Sequence, residues 1–353
     1  MILNKQEIPW GSGIGKDVND CTTIREVMEK AGLDFRVDKC PIVAKMNLNI
    51  ETNGLDFNNG FTHEGKYYSE VKDMYATYRT DTNRPLGIVK SRYEVVQNID
   101  AFAFFEEAII DDNVTWDKAG YYGYGHKIFV SAKLPFTIDV NGDEINNYLV
   151  FSSTHDGSGS INILFSPIRV ICLNMLNAGL QASYSNIKIK HTNSAKSRLE
   201  EHAKILKIAR TYACNAQDIY NALYKRPVTD EQFVDFLAKL ILTPAEYTKF
   251  TECPVTNKHN MLLSKSTYIL EYCNISVRKA NIIYKMFIYY YEGYGQKEIK
   301  NTAWGAYNAV TGYFSNVAPL NGENRVESLL YGNGYNTSNK ALSMLYEELQ
   351  KAM

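Results

Sequence analysis

Tyr148-Leu149-Val150-Phe151-Ser152-Ser153-Thr154-His155-Asp156-Gly157-Ser158-Gly159-Ser160-Ile161-Asn162-Ile163-Leu164-Phe165 reads as strand, turn, strand. Aromatic and β-branched residues fill both arms, and Asp156-Gly157-Ser158-Gly159 supplies residues that tolerate a tight reversal. Working outward, the same pattern recurs. Met74 to Thr80 alternates, Asp81 to Pro85 is a turn cluster, and Leu86 to Val96 resumes the strand pattern. Tyr121 to Leu134 and Asn147 to Thr154 flank a turn at Asn141-Gly142. One helix interrupts the series: Asn98 is its candidate N-cap and Ala101 to Ile110 its body. The expectation is an antiparallel meander with an inserted helix.

Beyond Phe165 the periodicity changes to helical. Ser166-Pro167 has the form of a helix start, and Ile168, Ile171, Cys172, Met175 and Leu176 follow at helical spacing. Ile187 to His191 reads as a last strand, after which Ser194 is expected to cap a long helix with Leu199, Ala203, Leu206 and Ala213 on its seam. Thr229 with Gln232 forms a capping box, Thr243-Pro244 starts another helix, and Ser276 and Ser338 are further candidate caps. Segregated strands and helices predict an α+β chain: an N-terminal antiparallel β-rich half with an inserted helix, then a helical C-terminal half. The expected division is a leader or extension over 1–66, holding a short helix from Thr22 to Lys30 ended by Gly32, a β-rich core with long helices over 67–225, and a helical region over 226–353.

The 353 residues suffice for one large domain or two ordinary ones, and 45% hydrophobic with 22% charged residues is the globular norm. A net charge of −1 excludes a polycation, so any attraction to phosphate rests on local asymmetry. The six cysteines have no CxxC spacing and the six histidines no HxH or HxxxH pair, so neither a metal nor another cofactor is expected. No secretory signal opens the chain, and apolar windows such as Ile282 to Tyr291 are too short to span a bilayer. The expectation is a soluble protein of the bacterial host cytoplasm with no membrane partner.

Several motifs carry candidate chemistry. Gly11-Ser12-Gly13-Ile14-Gly15-Lys16 imitates a phosphate loop, but Trp10 stands where the first glycine belongs and Asp17 where a hydroxyl belongs. His155-Asp156-Gly157-Ser158 contains the residue types of a hydrolytic triad, which is normally assembled in space and not within one turn. It reads as a structural turn, a binding loop or, least of all, a catalytic one. Arg169 falls in the first turn of the expected helix, where an anion or a carboxylate would accompany it. From Gly157 to Leu199 there is no Asp or Glu, whereas Arg169, Lys188, Lys190, Lys196 and Arg198 are basic. Lys188 and Lys190 share one face of a strand, with His191 on the other. A second basic group comprises Arg79, Arg84, Lys90 and Arg92 beside Tyr93, with Lys90 and Arg92 expected on one strand face. Together with Tyr121, Tyr122 and Tyr124 these suit phosphate contacts and base stacking.

The ordered strings Leu86-Gly87-Ile88-Val89, Tyr93-Glu94-Val95-Val96-Gln97-Asn98, Ser153 to Ser158, Pro167 to Asn174, Lys190-His191-Thr192 and Thr302 to Thr311 resemble the phage/plasmid-like protein family, a domain of unknown function. The resemblance implies a mobile-element setting and no particular chemistry. A looser similarity of element order and charge to phage single-strand annealing proteins implies a basic groove, often in oligomeric rings. The leading expectation is therefore a protein that binds or anneals single-stranded DNA in recombination or replication, through Arg79, Lys90, Arg92, Tyr93, His155, Ser158, Arg169, Lys188, Lys190, His191, Lys196 and Arg198, with homo-oligomers possible. The alternatives are a protein-interaction module acting on a host factor, with Tyr284, Phe287, Tyr289, Tyr290 and Tyr291 as its adhesive surface, and a phosphate-ester or nucleotide enzyme built on the 155–158 turn.

Overall fold

The computed structural model describes residues 15–46, 60–109, 114–169, 186–191, 205–320, 322–330 and 332–351. Its first half holds two antiparallel sheets. The larger is formed by β1 (Gly15–Asp17), β6 (Thr115–Tyr122), β7 (Lys127–Val140), β8 (Asp143–Thr154), β9 (Ile161–Arg169) and β10 (Asn186–Ile189), in the order β1-β6-β7-β8-β9-β10. The smaller contains β2 (Val37–Met46), β3 (Gly60–His63), β4 (Lys66–Arg79) and β5 (Pro85–Lys90), with β2 and β3 on either side of β4 and β5 continuing along it. Asn141 and Gly142 close the β7–β8 hairpin with φ of 52° and 87°. Left-handed conformation at both central residues is the turn whose twist matches paired strands, which is why Asn-Gly occurs there.

The quoted stretch is β8, the turn and β9. Residues 161–168 are buried without interruption, as for a strand covered on both faces. Phe102 and Phe105 of α2 (Asn98–Ile109) pack on Phe151 at 5.3 and 5.7 Å from one side. Elsewhere in the sheet, α3 (Ile205–Lys225) packs on β7.

The structure corrects several readings. Ser166-Pro167 does not start a helix: Ser166 pairs with Tyr148 and Pro167 with Asn147 in the β8–β9 ladder. β10 pairs only with Ile161 to Leu164, so the later part of β9 is an edge among the described residues, where proline is accommodated. Sheet pairing thus overrides a local cap signal. Ser338 lies buried inside α11 (Asn333–Lys351) and caps nothing. Asn98 is the first residue of α2 with its side chain turned to other segments. The pattern over Tyr121 to Leu134 is two strands parted by a turn, and β5 stops at Lys90, so Lys90 and Arg92 do not share a strand face.

Residues 15–46, expected as part of a leader, contribute β1, β2 and α1 (Ile24–Ala31). α1 carries the Thr23/Glu26 capping box and ends on Gly32 at φ 69°. It buries Ile24, Val27, Met28 and Ala31, and the Ile24 N–H donates to Glu106 at 2.7 Å.

The second half is helical: α3, α4 (Asp230–Ile241), α5 (Pro244–Glu252), α6 (Lys258–Leu263), α7 (Thr267–Cys273), α8 (Val277–Glu292), α9 (Ala303–Gly312), α10 (Gly322–Leu330) and α11. The expected caps at Thr229, Thr243 and Ser276 all accept from the backbone as anticipated. The Trp304 indole N–H, fully buried in α9, donates to the Asp143 carboxylate at 3.0 Å and fastens the helices to the β7–β8 turn. No helix among the described residues is long and apolar enough to cross a membrane.

Candidate functional site

The turn after β8 is the node at which both sheets, α2 and the β10 end meet. The His155 N–H donates to the His126 carbonyl at 2.7 Å, and its own carbonyl accepts from Thr77 Oγ1 of β4 at 2.5 Å. Its ring is fully buried. The Asn98 amide group donates to the Leu33 carbonyl at 2.9 Å, so Asn98 Oδ1 is the acceptor that faces His155 Nε2 at 2.7 Å and that nitrogen carries the proton. Burial, and then His191 nearby, lower the His155 pKa to about 3. His191 is also buried; its ring stacks on Tyr93 at 4.8 Å and its Nε2 lies 3.4 Å from Ser153 Oγ. Burial lowers its pKa to about 4. The Tyr93 hydroxyl donates to the Thr154 carbonyl at 2.8 Å, and burial pushes its pKa above the usual phenol value.

These bonds determine what the His155-Asp156-Gly157-Ser158 turn does. Asp156 Oδ1 accepts from the Ser158 N–H at 2.8 Å and from its hydroxyl at 2.6 Å, the geometry of a self-bonded Asx turn. His155 bonds Asn98 instead of Ser158, so the nucleophile–base–orienter chain of a hydrolase is not assembled. The turn is clamped against β5. A Cβ on Gly87 would lie 2.4 Å from the Asp156 backbone, and one on Gly157, at φ +75°, would lie 2.9 Å from Val89 Cγ1.

Around this buried knot the cations stand outside. Lys90, Arg92 and Lys190 are exposed, and none of them has an ion-pair partner among the described residues. Tyr93 connects them: its N–H donates to the Lys90 carbonyl, and Glu94 N–H reaches the His191 carbonyl at 3.2 Å. The structure therefore gathers Lys90, Arg92, Tyr93, His155, Ser158, Lys190 and His191 at one end of the large sheet. Arg84 lies over the ring of the exposed Tyr124 at 4.1 Å. Arg79 belongs to the same region but is committed inward: it pairs with Asp81, donates to the Tyr124 carbonyl and sits over Phe35 at 3.9 Å.

Other expected site residues are placed differently. Arg169 ends β9 opposite Ile145, roughly 25 Å along the strand from the turn at about 3.3 Å per residue. It is the last residue of a strand, so it does not lie in the first turn of a helix opened by Pro167. The Lys188 backbone pairs with Asn162, at the turn end. Lys196 and Arg198 lie outside the described residues, as do the Ser194 cap and the start of its helix. In the helical half Tyr289 and Tyr290 are buried, Phe287 and Tyr291 are partly buried against the core, and Tyr284 is exposed.

Sequence reading missed a cleft of about 510 Å³ beside the turn. Its walls are the β6–β7 turn with Lys127 to Phe129, the end of β8, Ser158 to Asn162, and one face of α10. Two contacts hold α10 there: Lys127 to Glu327 at 2.6 Å, and the Gly123 N–H to Glu323 at 2.8 Å. No group of three or more His, Cys, Asp or Glu suited to a metal occurs among the described residues.

The arrangement defines a sheet-end platform: a buried polar knot, a rim of cations unpaired among the described residues, and an adjoining cleft. The chain belongs to the family described as domain of unknown function (DUF932), which matches residues 85–341 and so spans the knot, the cleft and most of the helices. No curated protein matches the chain. No solved structure matches it either.

Proposed function

We propose that the protein binds single-stranded DNA at this sheet end and serves a phage or plasmid as a DNA-handling, strand-annealing factor. The observation that carries the reading is the grouping of Lys90, Arg92 and Lys190, exposed and without carboxylate partners among the described residues, on a scaffold that a buried hydrogen-bond network holds in place. Cations that lack partners among the described residues suit phosphates, which they bind regardless of sequence. The Arg84–Tyr124 pair, near the opposite end of β5 from Lys90, offers an exposed aromatic plane for a base. The committed bonds of Ser158 and His155 favour binding over hydrolysis. The testing experiment is a fluorescence-anisotropy titration of labelled single-stranded and duplex oligonucleotides across a salt series. Preferential, salt-steep binding of single strands supports the reading, and a strand-annealing assay then follows. Absence of binding at about 50 mM salt, where phosphate-driven affinity is strong, overturns it.

A further inference from the structure

The cleft has the anatomy of a ligand site and adjoins the cation rim. Its lining includes the apolar or aromatic side chains of Tyr122, Ile128, Phe129 and Leu330. Its α10 wall presents Glu323 and Glu327, one helical turn apart. Each carboxylate uses one oxygen in the contacts that hold α10: Glu323 Oε1 accepts from Gly123, and Glu327 Oε1 accepts from Lys127. The second oxygens carry no bond among the described residues. Two carboxylates against one lysine make the cleft unsuited to a phosphate, and suited to a flat, neutral group with N–H donors on its edge. The volume of about 510 Å³ lies in the range of small-molecule pockets and accommodates a heteroaromatic ring with its sugar.

Position supplies the second argument. Ser158 lies on both the cleft wall and the turn that β5 clamps, and Gly157 touches Val89, one residue before Lys90. A strand whose phosphates rest on Lys90 and Arg92 therefore passes the mouth of the cleft. We infer that the cleft receives one unstacked base of the bound single strand, and that Glu323 and Glu327 accept hydrogen bonds from its Watson–Crick edge. This inference rests on the function proposed above. Guanine, with adjacent N1–H and N2–H donors, matches a carboxylate best, whereas thymine offers a single N–H between two carbonyls.

The test uses the full chain and thymidine oligomers that carry one central guanine, one central abasic site or neither. Glu327→Gln and Asn324→Trp are compared with the unaltered protein; Asn324 is an exposed α10 residue on the cleft wall, where an indole blocks the mouth without entering the core. The unaltered protein is expected to favour the guanine oligomer over the all-thymidine one by roughly tenfold, the range of one good bidentate base contact. Both variants are expected to lose that preference and keep their affinity for the abasic oligomer. Binding of every oligomer with equal affinity by the unaltered protein, or a preference that survives in Asn324→Trp, overturns the cleft assignment and leaves the proposed function standing. Failure of the unaltered protein to bind any oligomer overturns both.

Discussion

Replacing Lys90, Arg92 and Lys190 together by alanine tests the cation rim in a way that total affinity does not. Each phosphate neutralised on a single strand contributes about −0.7 to the slope of log affinity against log salt. If all three side chains contact phosphate, the variant's slope is shallower by about 2. Over a rise from 50 to 200 mM salt, the unaltered protein then loses about twentyfold more affinity than the variant. All three side chains are exposed and take no part in the buried network, so stability should change by no more than about 0.5 kcal/mol. A matched control removes Lys249, Lys285 and Lys297, which are exposed in the helical half. It changes net charge equally but leaves the rim intact. Anisotropy titrations at five salt concentrations give the slopes. Parallel lines for the rim variant and the unaltered protein, or the same flattening in the control, refute the reasoning: phosphate contact would then lie elsewhere or be diffuse.

Acid should loosen the knot, because a histidine whose folded pKa lies below its unfolded value stabilises the fold above the unfolded pKa and loses that contribution as the pH falls. His155 and His191, at about 3 and about 4 against an ordinary 6.5, each forfeit about 2 kcal/mol by pH 5, so thermal midpoints should drop steeply from pH 7 to 5 and less so in His191→Phe; identical profiles count against the assignment. Trp304→Phe removes the buried indole donor to Asp143 and should cost about 2 kcal/mol in urea unfolding, a value near zero showing that the two halves are fastened by other contacts. Gly87→Ala forces a Cβ against the Asp156 backbone and should cost about 1–3 kcal/mol while weakening oligonucleotide binding, whereas a fully stable variant would mean that β5 is not clamped on the turn.

What was legible in the sequence was local. Asn141-Gly142 fixes a hairpin because both residues accept positive φ, and Thr229, Thr243 and Ser276 mark helix starts because their hydroxyls satisfy free N–H groups. What failed was equally local evidence overruled at long range. Ser166-Pro167 has the chemistry of a helix start, yet a ladder with residues 147 and 148 claims it. Residues 15–46 fall within the segment expected as a leader or extension, yet their helix α1 packs on α2 and β6, partners about 80 residues away that no local pattern connects. The cleft escaped notice for the same reason: Lys127 and Glu327 are 200 residues apart, and no spacing rule connects them. The basic rim was legible as residue types, through Lys90, Arg92 and Lys190, although the strand-face argument for the first two was wrong because the chain turns at Ser91.

The division of labour in the 155–158 turn follows from burial. Polar residues taken out of water must find partners, and each partner found is one fewer available for a ligand. The buried His155 Nε2 bonds Asn98 and the half-buried Tyr93 hydroxyl bonds Thr154, so they tie β8 to α2 and to the segment after β5, whereas the exposed Ser158 bonds Asp156 within the turn itself. Lys90, Arg92 and Lys190 are exposed, and no ion pair engages them among the described residues. A buried, hydrogen-bonded support beneath exposed positive side chains is what the proposed function calls for. Ser158 of the same turn also lines the cleft, so the turn adjoins both the cation rim and the cleft. A catalytic turn would show the reverse pattern, with the histidine and hydroxyl bonded to each other and open to a substrate.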